Sequence, residues 1–291
     1  MLVVLAAIWG SSFMFIKVAV RELTPGEVVF GRVLIGALAL LPAVPFTVGW
    51  RRLGSELRRH APALILVGTF TASLPFWLLA WSEKRLDSGL AGVIQASTPL
   101  FVALGAFAFS RADRVTGARL AGVLIGFLGV VLLVGAQPSG DVLSALAVVG
   151  CAACYAGAAL YAGVRLRGVP PMVIAFGTLS VATLTTLPLG LTELPGQVPT
   201  WKGMGAVIAL GALGLSVAYV LYFGLIAGAG ASYAVLVTYL VPALALGYGA
   251  IFLDESVTAT AVGGLLFILA GVTLGTGAVR MARRAPAPEA P

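Results

Sequence analysis

The sequence predicts an all-α integral membrane protein: ten transmembrane helices in two five-helix repeats of inverted topology, with both termini in the cytoplasm. Three observations carry this prediction. Hydrophobic residues make up 60% of the 291 and charged residues only 10%, at a mean hydropathy of +1.05, whereas about a quarter of an ordinary soluble domain is charged. The apolar sequence divides into ten pieces, each close to the roughly 20 residues that a helix needs to cross a bilayer core. The second half of the chain then echoes the first.

In order, the pieces are 2–20, 26–47, 62–81, 89–109 and 118–136, followed by 142–163, 171–192, 203–223, 231–253 and 257–279. The first has no basic region ahead of it and leads directly into more spanning sequence, so it reads as a retained helix rather than a cleaved signal. The longest polar connection is GWRRLGSELRRH, and the tail RMARRAPAPEAP is basic and proline-rich, which predicts disorder for residues 280–291. With the N-terminus inside, twelve arginines fall in cytoplasmic segments (Arg51, Arg52, Arg58, Arg59, Arg111, Arg114, Arg119, Arg165, Arg167, Arg280, Arg283, Arg284), against Arg21, Lys84, Arg85 and Lys202 outside. This bias is the positive-inside rule. The net charge of +7 is therefore topological and does not indicate a nucleic-acid partner.

The internal repeat appears at an offset of 143 residues, which pairs Gly68 with Gly211, Ser73 with Ser216, Leu78 with Leu221 and Pro99 with Pro242. Near the start the offset is 146 (Pro25 with Pro171, Gly31 with Gly177), and near the end it is 142, where VTGARLAGVLIGFLGVVLLVG aligns with VTATAVGGLLFILAGVTLGTG. These echoes define repeats over residues 1–140 and 141–279. Five is odd, so helices one and six must cross in opposite directions, and inverted repeats of this kind are a mark of secondary transporters with a substrate site near the midplane. Pro99 and Pro242 each remove a backbone donor inside a span, freeing the carbonyls of Gln95 and Thr238. Broken backbone at membrane depth is tolerated where protein or a wet cavity satisfies it, so helices four and nine are expected to face each other across a cavity, offering free carbonyls to a solute.

The motifs AAIWGSSFMFIKVAV, STPLF, LVPAL and LDESVTATAVGGLLFILAGVTL, with Arg32 in the second helix, resemble the drug/metabolite transporter superfamily, in particular its EamA-type ten-helix branch. Asp113 stands where that family's acidic turn usually carries glutamate. The resemblance covers essentially the whole chain. It implies export of small metabolites from a bacterial inner membrane, with exporters of aromatic and neutral amino acids nearest in character.

All seven tyrosines lie between residues 155 and 248, and Tyr219 and Tyr222 share a helical face, matched at the repeat offset by the neighbourhood of Phe76 and Trp77. An aromatic cavity with hydroxyl groups suits a flat, neutral or amphipathic solute. The expected substrate contacts are Trp9, Ser12, Phe76, Trp77, Gln95, Pro99, Tyr219, Tyr222, Thr238, Tyr239 and Pro242, with Lys17 and Arg32 as charge contacts. Lys17 and Arg32 have a competing structural reading, in which they bracket Glu27. No acidic residue falls in the middle of a span: Glu83, Asp87, Asp113, Asp141, Asp254 and Glu255 all read as loop residues. That favours facilitated export over proton antiport; a proton-coupled drug exporter and a small-solute channel remain alternatives.

Cys151 and Cys154 lie within an apolar helix and the one histidine, His60, is in a loop. A four-ligand metal site is therefore not expected, nor is any other cofactor. Intramembrane hydrolysis would need a base beside its nucleophile or paired carboxyls at depth, so the pattern argues against an enzyme. Gly122 with Gly126 and Gly271 with Gly275 have the spacing that lets helices approach closely. This is read as packing within one chain, and the protein as a monomer in the lipid bilayer.

Overall fold

The computed structural model describes residues 1–109, 117–137, 141–192, 198–234 and 236–275. Asp113, Arg111, Arg114 and the tail 280–291 lie outside them. The described residues form helices joined by turns and short connections, with no strand. Helices occupy each of the ten apolar segments read from the sequence. Seven are long and apolar enough to cross a membrane, and three shorter apolar helices accompany them.

In chain order these are α1 (Leu2–Ala19), α2 (Pro25–Thr47), the short polar α3 (Trp50–Arg59), α4 (Ala61–Ser82), α5 (Ser88–Gln95), α6 (Thr98–Phe109), α7 (Ala118–Gly135), α8 (Val142–Arg165), α9 (Pro171–Thr192), α10 (Trp201–Ala229), α11 (Ala231–Ala234), α12 (Val237–Leu253) and α13 (Ala259–Gly275). Local chemistry sets several boundaries. Thr24 and Glu27 form a reciprocal capping box ahead of Pro25, fixing the start of α2. Pro42 and Pro45 tighten its far end through a 3₁₀ turn at Leu41–Ala43. In α3 the arginines Arg51, Arg52, Arg58 and Arg59 are exposed while Leu53 is buried, as expected of a helix lying along an apolar surface.

Two spans carry a widened π-helical stretch, Thr69–Ser73 in α4 and Ala209–Val217 in α10. At the repeat offset these coincide. In α4 the stretch precedes Pro75, whose missing amide disturbs the ladder; α10 has no proline there and relies on Gly211 and Gly214. The buried Ser216 hydroxyl donates to the Gly36 carbonyl on α2 at 2.8 Å, and its counterpart Ser73 pairs with Thr185 Oγ1 on α9 at 2.7 Å.

Helix pairing repeats the same symmetry: α1 packs on α12 as α8 packs on α6, α2 on α10 as α9 on α4, while α2 with α9 and α7 with α13 each join equivalent helices. Small residues make these approaches. A Cβ at Gly92 on α5 would collide with Ala245 on α12, and one at Gly271 on α13 would meet the backbone of Gly126 on α7. The glycine spacing read from the sequence thus works inside the chain at this contact.

Hydrogen bonds identify one end of the bundle. Glu22, between α1 and α2, accepts from Thr200 N and Oγ1 at 2.7 Å each, at the start of α10. Glu255, after α12, accepts from Ser88 N and Oγ at 2.8 Å and from Gly89 N at 3.0 Å, capping α5. Lys17 Nζ donates to the Glu83 and Leu86 carbonyls at 2.8 Å each. This is called the Glu83 end; the opposite one, where Leu53, Leu64, Leu166 and Val173 pack in a small apolar cluster, is the Arg58 end.

Candidate functional site

A cavity of about 530 Å³ lies between the two halves of the chain. Trp9, Ser12, Phe76, Gln95 and Pro99 line it from the first half, and Tyr219, Tyr222, Thr238 and Pro242 from the second. Arg32 lines it too. Lining residues Val67, Ala159, Ile174 and Val237 carry it toward the Arg58 end. Toward the Glu83 end it stops at the buried Ile16 and Leu79, beyond which lie the buried Ser82, Glu83 and Leu86.

Aromatic rings dominate the walls. Trp9 and Tyr222 lie 5.4 Å apart between centroids, Phe76 meets Tyr155 edge-on at 6.4 Å, and Phe223 packs against both Tyr219 and Tyr222. The α10 π-stretch has a specific part here. It leaves the Gly214 carbonyl accessible, and Trp9 Nε1 donates to it at 3.2 Å.

Three expected contacts lie elsewhere. Trp77 stacks on Trp81 at 6.4 Å, away from the cavity lining. Trp77 lies about 100° around the helix from Phe76, which turns it onto Trp81 and out of the cavity. Tyr239 is off the lining for the same reason, beside Thr238, and packs on the main apolar core. Lys17 turns to the Glu83 end, where it donates to the Glu83 and Leu86 carbonyls in the turn between α4 and α5. Among the described residues no bracket of Lys17 and Arg32 around Glu27 forms: Glu27 receives Thr24 N at 2.8 Å instead. Tyr155, one of the seven tyrosines, lines the cavity, and so do Thr98 and Thr178, common residue types that the sequence alone does not distinguish.

The proline reading is corrected in detail. The chain breaks at Ala96 and Ser97, so Pro99 sits in the first turn of α6, where its missing amide costs little. Nor is the Gln95 carbonyl free: Thr98 Oγ1 donates to it at 2.9 Å. Pro242, by contrast, lies inside α12.

Glu83 also departs from expectation. It sits one residue beyond α4 in the polar string SEKRLD, yet it is 0% exposed, and among the described residues neither carboxyl oxygen has a hydrogen-bond partner. Burial pushes its carboxyl well above the usual range; Lys17 and Arg32 oppose this and Glu255 adds to it. An acid whose folded form holds its proton more tightly stabilises the fold fully below the unfolded-state value near 4.3. That stability is then lost as pH rises toward the folded-state value, at about 1.4 kcal/mol per tenfold gain in proton affinity. Glu83→Gln should therefore raise the melting temperature of the detergent-solubilised protein, by a margin that grows from pH 4 to pH 8. A margin independent of pH would show that Glu83 carries no excess proton affinity.

The EamA-like transporter family model matches twice, over residues 1–135 and 142–276. The chain belongs to this family. It is a multi-pass membrane protein, and its relatives are transporters by name. A transporter of Archaeoglobus fulgidus is 26% identical over 269 residues, covering 91% of this chain and 93% of that one. A probable amino-acid metabolite efflux pump of Salmonella typhimurium is 25% identical, covering 96% and 94%. A probable terminal-alkyne amino-acid exporter of Streptantibioticus cattleyicolor is 26% identical, covering 94% and 91%. One solved crystal structure has the same fold, with a TM-score of 0.65 at 22% identity over 97% of this chain and 96% of that one.

Proposed function

We propose that this EamA-family member is a secondary transporter that exports neutral or aromatic amino acids across the bacterial inner membrane by alternating access. The observation that carries the reading is the aromatic-walled cavity between the halves, whose volume of about 530 Å³ falls in the range typical of small-molecule sites. The two relatives named as amino-acid exporters support the substrate class. In this reading the chain crosses the bilayer ten times with both termini in the cytoplasm, residues 1–140 and 141–279 form the inverted repeats, and one chain is the working unit. The matched π-stretches and the symmetric helix pairing favour that arrangement. The Glu83 end then faces outward, and the cavity extends toward the cytoplasm. Release outward requires the Glu83 end to open and the Arg58 end to close. The protein does this as a carrier, without a cofactor or chemical conversion of its cargo.

The test is uptake of labelled phenylalanine, tryptophan and leucine by proteoliposomes, against nucleosides, sugars and organic cations. Saturable uptake of the amino acids without dependence on a pH gradient is expected. Uptake of none of them sinks the substrate class. One observation favours a second reading, a proton-coupled exporter: the buried, unpartnered Glu83 carboxyl could carry a proton between faces. Flux that follows an imposed pH gradient and loses that dependence in Glu83→Gln would establish it.

A further inference from the structure

The cavity wall contains one buried cation, Arg32, among its described residues. Its side chain lines the cavity and is 6% exposed. Among the described residues no ion pair reaches it, and its Nε has no hydrogen-bond partner. The guanidinium lies 3.8 Å from the centroid of Phe76, so a ring face is its principal contact. Arginine stays charged in any protein setting. A ring satisfies one face of that plane but accepts none of its in-plane donors well.

Gln95 supplies the opposite polarity. The Thr98 hydroxyl has one hydrogen, which it donates to the Gln95 carbonyl. Toward the Gln95 side chain it can therefore only accept, and Nε2 donates to it at 3.0 Å. This fixes the amide orientation and leaves Oε1 as a buried acceptor with no partner among the described residues. One cavity thus holds an unmatched fixed cation and an unmatched acceptor, with aromatic walls around them.

We infer that the cavity binds zwitterionic α-amino acids, with the carboxylate on Arg32 and the ammonium on the Gln95 side-chain oxygen. The inference rests on the transport reading above and narrows its substrate class: the aromatic walls hold the side chain, and the two polar groups read the backbone atoms that every amino acid shares. Selectivity among amino acids is then loose, and selectivity for the charge pair tight. A site built to match a polar group rejects the analogue that lacks it more strongly than an apolar pocket rejects a missing methylene.

The experiment measures binding to the full-length protein in detergent by quenching of tryptophan fluorescence, with three probes: phenylalanine, 3-phenylpropionate and 2-phenylethylamine. Phenylalanine should bind tightest. The amine, lacking the carboxylate, should be weaker by about 10-fold or more, as for loss of a hydrogen-bonded charge. Arg32→Met should weaken phenylalanine and phenylpropionate together and leave the amine unchanged. Arg32→Lys should recover part of the affinity, since the charge returns without the fork. Gln95→Leu should abolish the preference for phenylalanine over phenylpropionate. The inference is overturned if the wild-type protein binds the amine as well as phenylalanine, or if Arg32→Met leaves phenylalanine binding intact. Binding with this pattern but no flux of any amino acid would refute the transport reading while leaving the site assignment standing.

Discussion

Glu255→Ala is expected to open the Glu83 end of the bundle. One carboxylate receives three donors there, from the first two residues of α5. Those amides begin a helix whose own flanking residue, Asp87, makes no side-chain cap, so the cap comes instead from 167 residues away, across the boundary between the halves. Hydrogen bonds to a charged acceptor contribute about 1.5–3 kcal/mol each when desolvated. Glu255 is half-buried, so solvent returns part of that. A net loss on the order of 2–4 kcal/mol remains, equivalent to roughly 30- to 1,000-fold in the balance between closed and open forms. The matching clasp from Glu22 to Thr200 is exposed and should be worth less.

The measurement is the reaction rate of a membrane-impermeant maleimide, added outside, with a cysteine introduced at the cavity residue Thr71 after Cys151 and Cys154 are replaced. Glu255→Ala should raise the rate at least about tenfold, Glu255→Asp less, and Glu22→Ala only slightly. Equal rates in Glu255→Ala and the parent would mean that this contact does not hold the end shut.

Much of the site was legible because membrane sequences use few devices. Paired prolines and polar side chains at equivalent depths, Gln95 with Pro99 and Thr238 with Pro242, have few explanations, and all four residues line the cavity. What sequence could not resolve was direction around a helix. Phe76 and Trp77 are equally aromatic and adjacent, and only the packing of α4 against its neighbours decides that Phe76 and Leu79 turn inward. Glu83 was hidden for a different reason. Its string SEKRLD has the composition of a solvated turn, and its burial arises from a contact 66 residues away, where Lys17 draws the turn onto α1. The π-stretches were illegible too: no proline marks the one in α10, and its effect on the Gly214 carbonyl becomes visible only beside Trp9. Local signals placed the helices, and long-range contacts placed the charges.

Gly271→Leu should cost the protein its packing between α7 and α13, the helices that end each half. A Cβ at position 271 would fall on the Gly126 Cα and N and near the Gly122 carbonyl. These are backbone atoms of a regular helix, so no rotamer change relieves the clash and the two helices must separate. In a soluble core the surrounding hydrophobic effect resists such separation. In lipid the acyl chains are as apolar as the helix surface, and association depends on close packing itself. Overpacking typically costs about 1–3 kcal/mol, and this site belongs at or above the upper limit because the obstructing atoms cannot yield. Gly271→Ala adds only the first clashing carbon and should fall between. Gly263 offers a control on the same helix, since nothing lies within 4 Å of its ideal Cβ. Gly263→Leu should leave folding intact. The comparison is the monodisperse yield and melting temperature of the solubilised protein. A fall for Gly271→Leu with none for Gly263→Leu is expected, whereas equal behaviour of the two variants would mean that α7 and α13 do not meet through their glycines.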